Sequence, residues 1–243
     1  MDARKMLVEG AAKLGININE KQADLFFEYK QLLQQWNNKI NLTAITDDEG
    51  IICKHFLDSL TVLPYLDEVT TRVIDVGSGA GFPGLPLKIM RPSLDITLMD
   101  SLKKRILFLE NVAQELGFKE GLALLPMRAE EAGCQPIYRE CYDVCVSRAV
   151  IRLSVLSEYC LPFVKPGGKF ISMQGFNIHD EIAASREHII LLGGEISGVI
   201  PIKIPFTDIT HHIVSINKLS NTPQQYPRKH KKIIKTLGRV PCI

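Results

Sequence analysis

The sequence predicts an α/β domain with a mostly parallel sheet, helices on both faces and a helical annex at its N-terminal side. Three observations carry this. From residue 70 onward short apolar stretches alternate with helical patterns, as parallel strands joined by crossover helices require. No strand pattern occurs before residue 70. A glycine-rich block directly follows the first of the short apolar stretches. The 243 residues, 46% hydrophobic and 23% charged, suffice for a real core and exclude a disordered or low-complexity chain.

Each element has its own signature. Asn19 with Gln22 three positions on is a capping-box pattern. Leu25, Phe26, Tyr29, Leu32, Leu33, Trp36 and Ile40 then recur at helical spacing. A second helical stretch runs from Asp48 to Leu63, with Ile51, Ile52, Phe56, Leu60 and Leu63 on one side. Arg72 to Val76 reads as a buried strand, and Leu85 to Met90 as a short helix. Leu94 to Met99 is a second strand ending at Asp100. Ser101 is the expected cap of the next amphipathic helix, closed by Gly117. Leu122 to Met127 and Tyr142 to Val146 are strands, and Leu153 to Val164 a helix. The turn 165–168 leads into a fifth strand, Lys169 to Met173. A helix over Asp180 to Leu192 and two β-like stretches, Glu195 to Ile202 and His211 to Asn217, complete the chain. The expected organisation is a helical segment 1–68, a core 69–218 and a basic tail 219–243.

Charge and cysteine usage narrow the partners. From Ile216 onward the chain has seven Lys/Arg and no acid: Lys218, Arg228, Lys229, Lys231, Lys232, Lys235 and Arg239. The residues before them hold 22 bases and 27 acids. A basic edge on an acidic body suits a polyanion, and a solvated, frayed terminus is the plainer alternative. Six cysteines, at 53, 134, 141, 145, 160 and 242, form no CxxC pair. They read as reduced thiols of a cytosolic protein, with no metal site. The longest uncharged stretch, Val76 to Leu87, is twelve residues. A membrane span needs about 20, and no apolar segment near Met1 resembles a secretory signal. A cytoplasmic monomer is expected.

The glycine block is the strongest chemical signal. Gly77, Gly79 and Gly81 at alternate positions let the backbone turn sharply and leave room for a ligand against the main chain. The run 79–84 also fits GxGxxG, the dinucleotide fingerprint. Here, however, the loop starts at Gly77, and Asp75 closes the strand. An acid there repels a pyrophosphate and suits an ammonium or sulfonium, both of which S-adenosylmethionine carries. Asp100 is placed to accept from both ribose hydroxyls. Ala129, Glu130 and Glu131 follow strand three, where an acceptor meets an adenine amine, and Arg148 ends strand four.

Absences limit the reaction. After strand four stands Ser147-Arg148-Ala149, not the Asn/Asp-Pro-Pro-aromatic sequence of many exocyclic-amine methylating enzymes. Cys145 lacks the Pro-Cys or Thr-Cys context of a pyrimidine-C5 nucleophile. No catalytic residue is legible. A target that is already nucleophilic needs none: guanine N7 has a free lone pair and no proton to lose.

The blocks Trp36-Asn37 with Asn41-Leu42-Thr43, His55 to Leu60, Val73 to Gly84, Arg128-Ala129-Glu130 and Ser147-Arg148-Ala149 resemble the bacterial glucose-inhibited-division B family. The resemblance runs from about residue 20 to 240. It implies a Rossmann-like class I methyltransferase acting on N7 of a guanosine in 16S ribosomal RNA, with S-adenosylmethionine as cofactor. By matching position it implies cofactor contacts at Gly77, Phe82, Ala129, Glu130 and Arg148. Tyr226-Pro227-Arg228-Lys229 matches the family tail, and His230-Lys231-Lys232 replaces its following glycine and proline frame. The cofactor set is therefore Asp75, Gly77, Gly79, Phe82, Asp100, Ala129, Glu130 and Arg148. Arg228, Lys229, Lys231 and Lys232 are the expected RNA contacts. The Trp36-Asn37 and His55/Asp58 blocks are expected to pack on the sheet and fix the loop below. Alternatives are a methyltransferase for another RNA or a small molecule, a nicotinamide-dependent oxidoreductase, or a silent RNA-binding module.

Overall fold

The structure, a computed structural model, describes residues 2–148, 151–175 and 178–237. Ala149, Arg239 and Cys242 lie outside them. Seven strands form one sheet in the order β3-β2-β1-β4-β5-β7-β6. Strands β1 (Arg72–Val76), β2 (Asp95–Met99), β3 (Leu122–Leu125), β4 (Tyr142–Ser147) and β5 (Val164–Gln174) are parallel. The last two, β6 (Gly194–Lys203) and β7 (Thr210–Lys218), are antiparallel, and β7 pairs with β5. This is the expected mostly parallel, Rossmann-like sheet. Chain order reverses between β1 and β4, so a crevice opens there beyond the strand ends.

Period-two alternation along β1 sends side chains to two cores. Val73 joins helices α1 (Ala3–Lys13), α2 (Glu20–Ile40), α5 (Gly84–Met90) and α6 (Lys103–Glu115) on one face. Ile74 and Val76 join α7 (Ala129–Ala132), α8 (Leu153–Cys160), α9 (His179–Leu191) and α10 (His230–Leu237) on the other.

The annex is helical. The capping box at Asn19 is present in full, Gln22 N–H donating to Asn19 Oδ1 and Asn19 N–H to Gln22 Oε1. The stretch from Asp48 is α3 (Asp48–Ile51), a π-helical turn (Ile52–Leu57) and α4 (Asp58–Leu60). The π turn carries His55 and Phe56 into the first core. Helix α1, inside the expected helical segment 1–68 but ahead of the first helix placed by the sequence, is capped by Asp2 and buries Met6, Leu7 and Ala11.

Three expectations need correction. Ser101 is not the cap of α6: Asp100 Oδ1 accepts from Leu102 N–H at 2.8 Å, since its carboxylate already sits at the helix start. Helix α8 ends at Cys160 and yields to a 3₁₀ turn through Pro162, which lacks the N–H to continue. The run 165–168 is part of β5, entered across a register shift.

The tail is docked. Arg228 donates to Glu158 through its backbone N–H, Nε and Nη2, at 2.6–2.9 Å. Lys218 Nζ is buried against the Leu161 and Val164 carbonyls and Thr222 Oγ1. Arg139 donates to the Tyr226 and Thr222 carbonyls.

A candidate nucleoside site at the sheet's switch point

The glycine loop is held from three sides. From the sheet, Met99 O accepts from the N–H groups of Gly77 and Ser78. From β2, Asp100 Oδ2 accepts from Gly79 N–H at 3.0 Å. From the annex, Tyr29 Oη donates to Ala80 O. Gly77, Gly79 and Gly81 all have φ between +60° and +97°, which only glycine adopts without strain. A Cβ on Gly77 would meet nothing within 4 Å, so the backbone there faces open space. Gly84 is small for a different reason: a Cβ would sit 2.2 Å from Leu98 Cδ2.

A cavity of about 240 Å³ opens beside this loop. Its walls include Gly77, Asp100, Ala129 and Glu130, four of the eight expected cofactor residues, joined by Arg105, Tyr159 and His230. Asp100 Oδ2 also accepts from Arg105 Nη1 at 2.9 Å. With Leu102 and Gly79 its carboxylate thus accepts three internal bonds. About four acceptor positions exist on a carboxylate, so one further donor from a ligand fits at once and a second requires Arg105 to yield.

The other expected residues act from outside the cavity. Asp75 is fully buried, its Oδ2 accepting from Gly84 N–H at 2.9 Å. Its Oδ1 has no hydrogen-bond partner. Burial outweighs the Gly84 bond and the Arg148 charge and pushes its pKa up to about 7. Phe82 turns its ring into the annex, 4.5 Å from the His55 ring centroid and 5.4 Å from that of Tyr29. Arg148 lies over Phe82 and donates through Nη1 to Asp58 Oδ2 and Lys54 O, both at 3.0 Å. Asp58 Oδ1 takes His211 Nδ1 from β7. Burial and the Arg148 charge lower His55 to about 4, so it stays neutral. Its Nδ1 lies 3.1 Å from Lys54 O and 3.3 Å from Arg148 Nη2, and its Nε2 is hydrogen-bonded with Thr43 Oγ1 at 2.8 Å.

The annex motifs therefore build the loop's support. Asn37 Oδ1 accepts from Leu42 and Thr43 N–H, fixing the turn that presents Thr43 to His55. Trp36 Nε1 donates to Asn111 of α6. Sequence reasoning missed Arg105, Tyr159, His230, Glu158 and His211. Arg105, five residues beyond Asp100 in the first turn of α6, was the one local enough to find.

Glu158 occupies Nε and Nη2 of Arg228, so a contact of Arg228 with RNA would have to use its remaining Nη1. Lys229, Lys231, Lys232 and Lys235 are exposed. Among the described residues none of these four makes a salt bridge.

The orphaned Oδ1 gives a stability prediction. An acid whose folded pKa is raised contributes stability at low pH that is lost as pH rises from its ordinary value near 4 through about 7. Asp75→Asn removes that loss and can still accept from Gly84. The variant is expected to melt higher than the parent, by a margin that widens from pH 5 to 7 and then levels. The widening by pH 8 should be on the order of 1–4 kcal/mol, from the ionisation of a buried carboxyl that Asn cannot undergo. His55 runs the opposite way, gaining stability as pH rises from about 4 to 6.5, but it is present in both proteins. A constant difference in melting temperature across this range would contradict the assignment.

Comparison with known proteins places this geometry. Residues 22–210 match the family model for rRNA small subunit methyltransferase G. The chain is 49% identical over 229 residues to the Ribosomal RNA small subunit methyltransferase G of Acetivibrio thermocellus, covering 94% of both. It is 48% identical over 231 residues to the protein of that name from Alkaliphilus metalliredigens, covering 94% of this chain and 96% of the relative. Among solved structures, a variant of the 16S rRNA (adenine(1408)-N(1))-methyltransferase of Catenulisporales acidiphilia, solved with cosubstrate SAM, matches in fold. Its TM-score is 0.52 at 14% identity, over 68% of this chain and 92% of that one. The family match spans most of the chain and includes the glycine loop, Asp100, Ala129-Glu130 and Arg148, so this chain belongs to the rRNA small subunit methyltransferase G family.

Proposed function

We propose that this protein methylates N7 of a guanosine in 16S ribosomal RNA, in the cytoplasm, with S-adenosylmethionine as methyl donor. The observation that supports this best is one cavity that joins an open glycine backbone to Asp100 and to Ala129-Glu130 at the switch point. These groups fit a nucleoside: Asp100 keeps an acceptor for ribose, and Glu130 stands where an adenine amine is met. Asp75, fully buried with one oxygen unpaired and held partly protonated near neutral pH, would be drawn toward its charged form by a cationic ligand beyond the loop. When bound, the donor supplies a methyl group on a positively charged sulfur.

The chain's own residues then bind and orient. Gly77 and Gly79 keep the backbone low, Asp100 fixes the ribose, and the Asp58–Arg148 pair holds the loop's underside through Phe82. Cys145, in β4, is not offered as a nucleophile. Cys145 is buried and its pKa is raised well above the ordinary value by desolvation and by Cys160 beside it. Guanine N7 needs neither a nucleophile nor a base, only alignment.

Single-turnover methylation, followed from pH 6 to 9, is expected to show no rise governed by one deprotonation. The modified position should appear as a reverse-transcription stop after chemical cleavage at 7-methylguanosine in 16S RNA. Replacing Lys229, Lys231 and Lys232 together should flatten the log-affinity against log-salt slope for RNA by about 0.7–0.9 per lost phosphate contact. A steep pH dependence on one base would reject N7 as the target.

A further inference from the structure

The family reading leaves the tail's position over the nucleoside cavity unexplained. His230 is 71 positions from Tyr159 in sequence, yet Tyr159 Oη and His230 Nδ1 lie 2.6 Å apart, their rings near parallel at 15°. Both line the cavity that also holds Asp100 and Glu130. A second cavity of about 650 Å³ adjoins the first, sharing Arg128, Glu130 and His230, and continues along Pro227, Lys229 and Lys231. His230 thus stands at the Glu130 end, where the adenine of a nucleoside belongs, with Lys229 and Lys231 on its outer side.

The placement is enforced rather than incidental. Glu158, the residue before Tyr159, is fully buried and accepts three bonds from Arg228, two residues before His230. His188 of α9 is its further partner, Nε2 at 2.9 Å. Arg139 and Pro227 pin the segment from below, the latter against Gly133, where a Cβ would come within 3.1 Å of Pro227 Cγ. Adjacent residues of α8 therefore fix both the latch and the ring that meets His230.

We propose that His230 is a cofactor-contacting residue, the adenosine-side wall of the site, and that the Glu158–Arg228 latch holds it there. Because Lys229 and Lys231 flank it, a polyanion that settles the tail also settles this wall. Binding of RNA and of cofactor then favour each other by the same factor.

The inference rests on the proposed cofactor, and the test separates the two. Isothermal titration of the full chain uses S-adenosylhomocysteine and 5′-methylthioadenosine, which share the adenosine half. His230→Ala, an exposed position, is expected to lose roughly three- to ten-fold in affinity for both ligands by a similar factor. Tyr159→Phe, which removes only the hydroxyl, should lose part of this. Lys235→Ala, on the same helix but outside both cavities, should bind as the parent does. Adding a short RNA duplex should tighten ligand binding in the parent and not in His230→Ala. Unchanged affinity in His230→Ala, with a melting temperature equal to the parent's, would overturn the inference while leaving the cofactor in place. Failure of the parent itself to bind either ligand would instead remove the cofactor reading.

Discussion

Asp100→Ala is expected to reduce affinity for S-adenosylhomocysteine by a hundredfold or more. The carboxylate does two jobs with one group. In the proposed site it would offer the ribose an acceptor, and it holds the loop through Gly79 N–H while pairing with Arg105. Charge-assisted hydrogen bonds are worth about 1.5–3 kcal/mol each, and about 1.4 kcal/mol is tenfold in affinity. Losing the ribose contact alone costs ten- to a hundredfold; losing the Gly79 acceptor adds disorder in the loop. Asp100→Asn keeps the shape and one acceptor oxygen but leaves Arg105 without a countercharge, so about tenfold is expected. Titration calorimetry checks both. Near-parental affinity in Asp100→Ala would take Asp100 out of the site.

The largest stability effect belongs to Glu158→Ala. Glu158 has no exposed side-chain surface. Desolvation raises its pKa, but Arg228 and His188 more than offset this and hold it near 2. Its contribution is therefore present above the ordinary carboxylate range and is lost only as pH falls toward 2. Removing one partner of a buried pair costs about 3–5 kcal/mol. For a chain of this size that is a drop of roughly 6 to 20 °C in melting temperature. Replacing Arg228 by Leu in the same background should recover part of it, because the stranded cation is then gone. A drop under about 2 °C in Glu158→Ala would show that the latch contributes little.

How much of this was readable follows from range. Strands β1 to β5 were legible because each is a short apolar run between turn signals, and the core of each was found within a few residues. The capping box at Asn19 and the closing Gly117 are local patterns, and both are present. The π turn at Ile52–Leu57 was not legible, since a shifted hydrogen-bond register follows from packing rather than from composition. Nor was the direction of β6 and β7. The site divides the same way. Gly77, Asp100, Ala129 and Glu130 lie at strand ends, and the cavity gathers them. The pairing of Arg228 with Glu158 was not legible because the two are 70 residues apart, and a basic run in sequence does not show which charge is already paired. Asp58 with His211, and Tyr159 with His230, are hidden for the same reason.

The distance between Glu158 and Arg228 also orders the chain's birth. A protein made from its N-terminus exposes α8 long before Arg228 leaves the ribosome. Until then a carboxylate destined for the interior has no countercharge, even after β7 has emerged to pair with β5. The nascent domain is therefore held open on its α8 side, with Tyr159 facing water and no His230 to meet it. Residues 226–237, which emerge after all seven strands, seal the second core and complete the cavity's rim. A protein truncated before Tyr226 is expected to remain a partly packed species rather than a smaller working enzyme.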